Sequence, residues 1–390
     1  MNLRPTSKSL KIALIAAVAV VIGCIGLSTV LPVRAFLPLK GAVEAPPAVI
    51  WTWRSLRSGA LANSIGTWFD ANVGLRSFWV RLDNQVNYTL FGELAKRTQG
   101  TVLIAGPGDW LFEKQYIDYA TTPGSLADQE LTRRIERMRR VEAKLARRSI
   151  PLVYMVAPSK VEVYPENVPA ALLAANPPDR TSTRYEQAQA PLHNSGISFI
   201  DGPNLFRRWK QEGVRDLFAR SGTHWSYASA LRIWEEIRAE MNPRLARPIP
   251  AFATIPTKPD RPGPGDSDLL NLANLLCSRP YQHPLIKPLI KPQADIPAQR
   301  LPKLLWVHDS FGWALIEELY EANAARPSDS LYYFRTHMKI PGGLVQDTKI
   351  EAIDWPSFLS DYDGIVLVGT EIGFEFDCWG FYETLDRALD

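Results

Sequence analysis

The first pattern along the chain is an apolar run from Ile12 to about Val33. It is roughly the 20 residues that a helix needs to cross a bilayer. Arg4, Lys8 and Lys11 precede it, and that positive flank predicts a cytoplasmic N-terminus with the rest of the chain outside. Val21-Ile22-Gly23-Cys24 has the form of a lipoprotein cleavage site, and a cleaved signal is a further alternative. The run continues past Cys24 through Ile25, Leu27, Val30, Leu31 and Val33, which favours an uncleaved signal anchor within residues 1–35. All three readings put the bulk of the chain outside the cytoplasmic membrane, in the periplasm for a single-pass inner-membrane protein.

After the anchor, short apolar runs alternate with helical stripes. Pro151 to Ala157 is apolar throughout, which suits a parallel strand covered on both faces. Further strands are predicted at Ile197 to Asp201, after Lys303 through Trp306, at Leu331 to Phe334 ending on Arg335, and at Gly364 to Val368 ending on Glu371. A helix from about Leu126 to Arg147, capped by Ser125, carries Leu131, Ile135, Met138, Val141 and Leu145 as its stripe. Its other face carries Arg133, Arg134, Arg137, Arg140 and Lys144, either solvated or facing an acidic polymer or anionic lipid heads. Tyr227 to Met241 and Trp313 to Leu319 also read as helices. Strands alternating with helices predict an α/β domain, doubly wound on a mostly parallel sheet, over residues 101–390. Residues 36–100 form a membrane-proximal segment whose aromatics, from Trp51 to Phe91, predict a helix packed on the main domain. Gly106 to Phe112 reads as a turn into a strand. Residues 243–302 are proline-rich, with a short helix near Leu269 to Leu276, and read as an insertion or lid between two halves of one sheet.

Composition narrows the classes. Hydrophobic content of 46% and charged content of 22% are those of a globular protein. A net charge of +3 makes no case for nucleic acid. Three cysteines are too few for a disulfide framework; Cys277 and Cys378 are either a pair or two buried thiols. No His, Cys and carboxylate cluster has metal-ligand spacing, and Gly263-Pro264-Gly265-Asp266 is a proline-interrupted loop unlike a phosphate loop. No metal or cofactor is expected.

The candidate chemistry lies in Val307-His308-Asp309-Ser310-Phe311-Gly312, between a predicted strand and a predicted helix. A serine in such a turn is held at the carboxyl edge of the sheet beside free helix N-terminal amides, where its oxyanion can be stabilised. It needs a base, and the chain has five histidines. His224, in Gly222-Thr223-His224-Trp225-Ser226, sits just ahead of a helix. Ser310 and His224 are therefore paired as nucleophile and base. Lys160 ends the strand at Pro151 to Ala157, on the edge where α/β proteins put ligands.

These two motifs resemble those of the SGNH hydrolase-like O-acetyltransferases of bacterial exopolysaccharide systems, the alginate O-acetyltransferase-like group. That family carries Asp-x-His-Trp followed by Gly-Asp-Ser-Phe. Asp109-Trp110-Leu111-Phe112 resembles its Gly-Trp-Leu-Phe, and Ala157-Pro158-Ser159-Lys160 with Tyr164-Pro165 resembles its Pro-x-Lys and Tyr-Pro element. Asn72-Val73-Gly74-Leu75-Arg76, Asn84-Gln85 and Leu90-Phe91 resemble its membrane-proximal region. The resemblance covers roughly residues 50 to 375. It implies an SGNH, flavodoxin-like fold, Ser310 as the acetyl-accepting nucleophile and His224 as its base. It also implies a multispanning membrane acyltransferase partner that passes acetyl groups from the cytoplasm. Two positions depart from the pattern: the family's Asp before the His is Gly222 here, and the glycine before Asp309 is His308. The missing acid would orient the imidazole. Asp201, Asp216, Asp309 and Glu371 are candidates to replace it; a Ser-His dyad or a silent site are the alternatives. His308 reads as a structural replacement for the glycine.

The activity implied is acetyl transfer to hydroxyls of an extracytoplasmic polysaccharide. Water in place of the sugar makes an acetyl esterase, and a silent site makes a polysaccharide-binding or assembly component. Trp225, Tyr227 and Trp313 flank the motifs as candidate stacking surfaces for sugar rings, and Arg335 as a grip for a uronate carboxylate. The commoner fates of such residues are the core for the aromatics and a surface ion pair for the arginine.

Overall fold

The computed structural model describes residues 7–30, 37–40, 48–94, 102–122, 124, 127–174, 183–255, 264–278, 285, 287–343, 345–347 and 349–389. Arg4, Leu31, Val33, the predicted cap Ser125, Leu126 and Gly263 lie outside them. The chain divides into two compact units, residues 1–103 with 270–279 and residues 104–269 with 280–390.

In the first unit the apolar run forms α1 (Ser7–Val30). Within it, Leu10–Thr29 is long and apolar enough to cross a membrane. The aromatic stretch is three helices where one was expected: α2 (Trp53–Ser58), α3 (Ala60–Asn72) and α4 (Arg76–Phe91). Gly59, with φ at 77°, breaks the first pair, a left-handed conformation that costs glycine little. Thr52 and Ser55 close a capping box at the start of α2.

The second unit opens within β1 (Leu103–Ala105), whose first residue ends the preceding segment, and continues with β2 (Leu111–Glu113). Then follow α5 (Lys114–Thr121), α6 (Asp128–Ala146), β3 (Leu152–Ala157), α7 (Lys160–Val163), α8 (Ala170–Ala174), α9 (Arg184–His193), β4 (Phe199–Asp201), α10 (Gly202–Gln211) and α11 (Tyr227–Met241). The proline-rich stretch contributes β5 (Phe252–Ile255), the start of α12 (Asp268–Ala273) and β6 (Leu289–Pro292), with β5 and β6 paired antiparallel. The chain ends with β7 (Leu304–His308), α13 (Gly312–Glu321), β8 (Ser328–Tyr332), β9 (Thr336–Ile340), β10 (Val345–Asp347), α14 (Trp355–Leu359), β11 (Gly364–Thr370), α15 (Glu371–Glu375) and α16 (Phe381–Ala388).

Seven strands form one sheet in the order β10-β9-β8-β7-β11-β3-β4. From β8 to β4 every pairing is parallel, and β9 and β10 are an antiparallel edge. Side chains alternate between two cores, as a period of two requires. Val153, Met155, Trp306 and Val368 face α10, α11 and α13, whereas Tyr154, Val156, Val307 and Leu367 face α6, α9 and α16. The strand predicted at Leu331 to Phe334 stops at Tyr332, because Tyr333 and Phe334 take left-handed conformations that turn the chain into β9. On the basic face of α6, Arg133 stays exposed beside Glu130, whereas the other four residues meet the C-terminal segment. Arg137 pairs with Asp377, Arg140 and Lys144 pair with Asp386, and Arg134 donates to the carbonyls of Phe374 and Glu375.

Candidate active site

β3 and β11 end together, Ala157 opposite Thr370, and β7 ends two residues earlier, with His308 opposite Val368. Ser310 lies two residues beyond β7, in the turn into α13. Asp309 fixes that turn. Its Oδ1 accepts from the Phe311 amide at 2.9 Å and its Oδ2 from the Thr370 amide at 2.8 Å, while its own amide donates to the Val368 carbonyl. Both oxygens of Asp309 therefore serve the backbone. Burial drives its pKa up, the amide hydrogen bonds and His224 pull it back, and it settles at about 6. The Tyr333 phenol faces the Ser310 side chain, which eases the rise that burial imposes on the phenol's pKa. Tyr333 reaches it from the left-handed turn after β8, at φ 49°; strained backbone of this kind concentrates at functional sites.

His224 precedes α11, which Ser226 caps through the Ser229 amide. Its ring packs on Phe311, the neighbour of Ser310, at 4.9 Å between centroids. Nδ1 lies 2.6 Å from Asp268 Oδ2. Asp268 Oδ1 accepts from the Thr223 amide at 2.8 Å and the Leu269 amide at 2.7 Å, so the carboxylate is fixed before it meets the imidazole. Nε2 is buried with no hydrogen-bond partner among the described residues. With Nδ1 facing a carboxylate, the neutral ring keeps its proton there and presents Nε2 as an acceptor. Burial opposes the imidazolium, but Asp268's charge and hydrogen bond, with the charges of Asp309 and Glu113, outweigh it and raise the pKa above the usual histidine value.

The position of the missing acid now has a physical reason. A Cβ on Gly222 would stand 2.1 Å from the Gly265 carbonyl oxygen. The loop that delivers Asp268 occupies the space a side chain at 222 needs. Among the candidates named from sequence, Asp201 instead caps α10 and bonds Tyr185 and Asn204, Asp216 is exposed, and Glu371 accepts from the Ser159 amide. Asp268 lies at the first position of the short helix predicted nearby. An acid opening a helix was the available signal, and nothing in its spacing ties it to His224.

Lys160 is buried rather than exposed at the ligand edge. Its Nζ donates to the carbonyls of Ala219, Arg220 and Gly222, holding the loop that carries His224. Burial pushes its pKa down to about 7 against the pull of Asp268 and Glu113. Glu113, unmarked in the sequence, is buried beside Thr223, Asp268 and His224, and its pKa is raised mainly by that burial. His308 is fully buried. Its Nε2 meets Ser330 Oγ and its Nδ1 the Asp309 carbonyl, each at 2.6 Å, and burial pushes its pKa to about 4. With both nitrogens occupied it is a structural group, as the sequence suggested. A Cβ on Gly312 would stand 2.6 Å from its ring.

The structure removes Trp225 from the sugar-stacking candidates: it is core, packed on Phe206 and Phe311. Tyr227 is also buried, with its hydroxyl donating to Glu317 at 2.7 Å. Trp313 is half-buried against His308 and Tyr332. Arg335 is exposed at the turn into β9. Cys277 is an exposed and Cys378 a buried free thiol.

Comparison with known proteins agrees with this fold. The family model of the SGNH hydrolase-like domain of the acetyltransferase AlgX matches residues 103–301, a span that includes His224 and Asp268 and stops short of Ser310. The chain is 28% identical over 200 residues to the probable alginate O-acetylase AlgJ of Pseudomonas aeruginosa, covering 50% of this chain and 46% of that protein. It is 27% identical over 171 residues to the protein of the same name from Pseudomonas fluorescens, covering 43% and 39%. The matched segments thus span less than half the length of these curated relatives. The solved O-acetyltransferase domain of Pseudomonas putida AlgJ overlaps 74% of this chain and 99% of its own, at 16% identity and a TM-score of 0.46.

Proposed function

This chain belongs to the family of SGNH hydrolase-like acetyltransferase AlgX domains, and from that premise we propose that it moves acetyl groups onto hydroxyls of an extracytoplasmic polysaccharide through an acyl-serine at Ser310. The observation that carries the reading is the Asp268–His224 pair, which leaves Nε2 open beside the Ser310 turn. Nε2 takes the Ser310 proton as Oγ bonds the donor's acetyl carbon. The imidazolium, held against Asp268, then returns that proton to the leaving group as the donor ester bond breaks. In the second half, Nε2 takes the proton of a sugar hydroxyl, whose oxygen bonds the acetyl carbon, and Ser310 leaves with the proton restored. The Phe311, Gly312 and Trp313 amides donate to Asp309 and to the Ser310 carbonyl, so the free helix N-terminal amides expected beside Ser310 are engaged in the turn itself. Asp309 positions the turn, and Lys160 and Glu113 position the His224 loop.

The rest of the reading follows from the family and from α1. α1 anchors the chain in the inner membrane, the second unit works in the periplasm, and a multispanning membrane acyltransferase supplies acetyl. The relatives' names point to an alginate-like uronate polymer as acceptor, for which exposed Arg335 offers a cation. The silent-site alternative loses its main support, since Asp268 supplies the acid that Gly222 lacks. An esterase uses the same residues and differs only in the acceptor.

The test is acetyl capture by the full-length protein from an activated acetyl ester, read as intact mass with and without acceptor oligosaccharides. We expect an acetyl adduct on Ser310 that acceptor sugar discharges into acetylated sugar. An adduct lost equally fast to water with or without sugar would make the protein an esterase. A folded protein that never takes up acetyl would refute the enzymatic reading.

A further inference from the structure

We propose that α2 and α3 rest on the membrane that α1 crosses, with Trp51, Trp53 and Phe69 seated at the boundary between lipid headgroups and acyl chains. The inference rests on the reading of α1 as a membrane span and adds a second, peripheral contact to it.

The placement comes from contacts within the first unit. The Gly74 amide, two residues past α3, donates to Thr29 Oγ1 at 2.8 Å. A Cβ on Gly74 would meet Ser28 Oγ and the Ile25 carbonyl. Residues 25–29 are the last turn of the candidate span Leu10–Thr29. Arg81 donates to the carbonyls of Leu37 and Pro38, where the chain continues past α1. The C-terminal end of α3 is thus pinned at the level where α1 leaves the bilayer.

The exposed chemistry at that level fits an interface. Trp51 is 75% exposed and Trp53 81%, and Leu56 and Phe69 are also exposed. α3 has no buried residue. Yet Leu61, Ile65, Trp68 and Phe69 share one face of it, with Asn63, Thr67 and Asp70 opposite. An amphipathic helix whose apolar face the described residues leave half-buried at Leu61 and Trp68 and exposed at Ile65 and Phe69 suits a membrane interface, and tryptophans prefer that depth. Arg54 and Arg57 flank Trp53 and are exposed, within reach of lipid phosphates. The outward stripe of α4, Trp79, Val86 and Leu90, is interrupted by exposed Asp83, so the contact is assigned to α2 and α3.

α1 contains no tryptophan, so the span and the interface can be read separately. The full-length protein is placed in nanodiscs of phosphatidylethanolamine and phosphatidylglycerol, with or without bromine on the acyl chains near the headgroup. Quenching of tryptophan emission is compared between wild type, Trp51→Ser/Trp53→Ser and the conservative Trp51→Phe/Trp53→Phe. We expect brominated lipid to quench the wild type, and both variants to lose roughly half or more of the quenchable emission. Unchanged quenching in the Phe variant, or an unquenched protein that resists alkaline extraction, overturns the proposal and leaves α1 standing. A protein that alkali extracts would fell the span reading and this one with it.

Discussion

His224 packs on Phe311 and His308 on Trp313, two residues of one strand-to-helix turn, and burial pushes both toward the neutral form. They end in opposite states. His308 spends both nitrogens on a hydroxyl and a carbonyl, meets no charge, and is driven down to about 4. His224 spends one nitrogen on a carboxylate, keeps the other open, and is driven up. A buried imidazole is fit for proton transfer when an acid compensates its desolvation and one nitrogen stays unengaged. The difference lies in Asp268, delivered by a loop that closes the space at Gly222.

Breaking the comparison at its reactive end has the largest expected effect. Ser310→Ala and His224→Ala should each lower acetyl capture by about 10⁴-fold or more, measured as adduct per unit time in folded protein. Asp268→Asn comes next, with an expected loss of about 10²–10⁴-fold. The base must be neutral to act, so the acid limb of the wild-type profile lies above the ordinary histidine value. Removing the charge of Asp268 leaves burial dominant and should move that limb to lower pH. Gly222→Asp, which restores the family's acid by sequence, should not rescue Asp268→Asn, because its Cβ collides with the Gly265 carbonyl. In the wild-type background it should destabilise by about 1–3 kcal/mol in denaturant unfolding.

The structural histidine sharpens the contrast through stability. His308 binds its proton only near pH 4 when folded and near 6.5 when unfolded. Unfolded chains take up that proton first as pH falls, so about 3 kcal/mol of stability should be lost between pH 6.5 and 4. His224 has the opposite sign, contributing stability below its unfolded pKa that is lost as pH rises through its raised folded value. His308→Gln should flatten the acid side of the stability curve while acetyl capture changes by less than about 10-fold. The smallest effect is expected at Arg335. Arg335→Ala should leave adduct formation unchanged and raise the KM for a uronate acceptor by less than about 10-fold.

Much of this was legible along the chain. Continuous apolar runs mark buried parallel strands, and β3, β7 and β11 lie where those runs are. The helix predicted from Tyr227 to Met241 is α11. What stayed hidden depends on chain folding over distance. Tyr333 reads as strand by composition, and only its left-handed backbone turns it toward Ser310. The arginines of α6 look like a free basic face until the C-terminal segment supplies Asp377, just ahead of α16, and Asp386 within it. Asp268 is 44 positions from His224 in a proline-rich stretch without periodicity, and an acid at a helix start more often serves the helix than a catalytic base.

The most direct test of the account is the pH profile of acetyl capture by wild type and Asp268→Asn, followed by intact mass under single-turnover conditions. The account predicts a slower variant whose acid limb has moved to lower pH. Capture by Asp268→Asn at the wild-type rate with an unshifted limb would contradict it, and would mean that His224 is oriented by another group or by none.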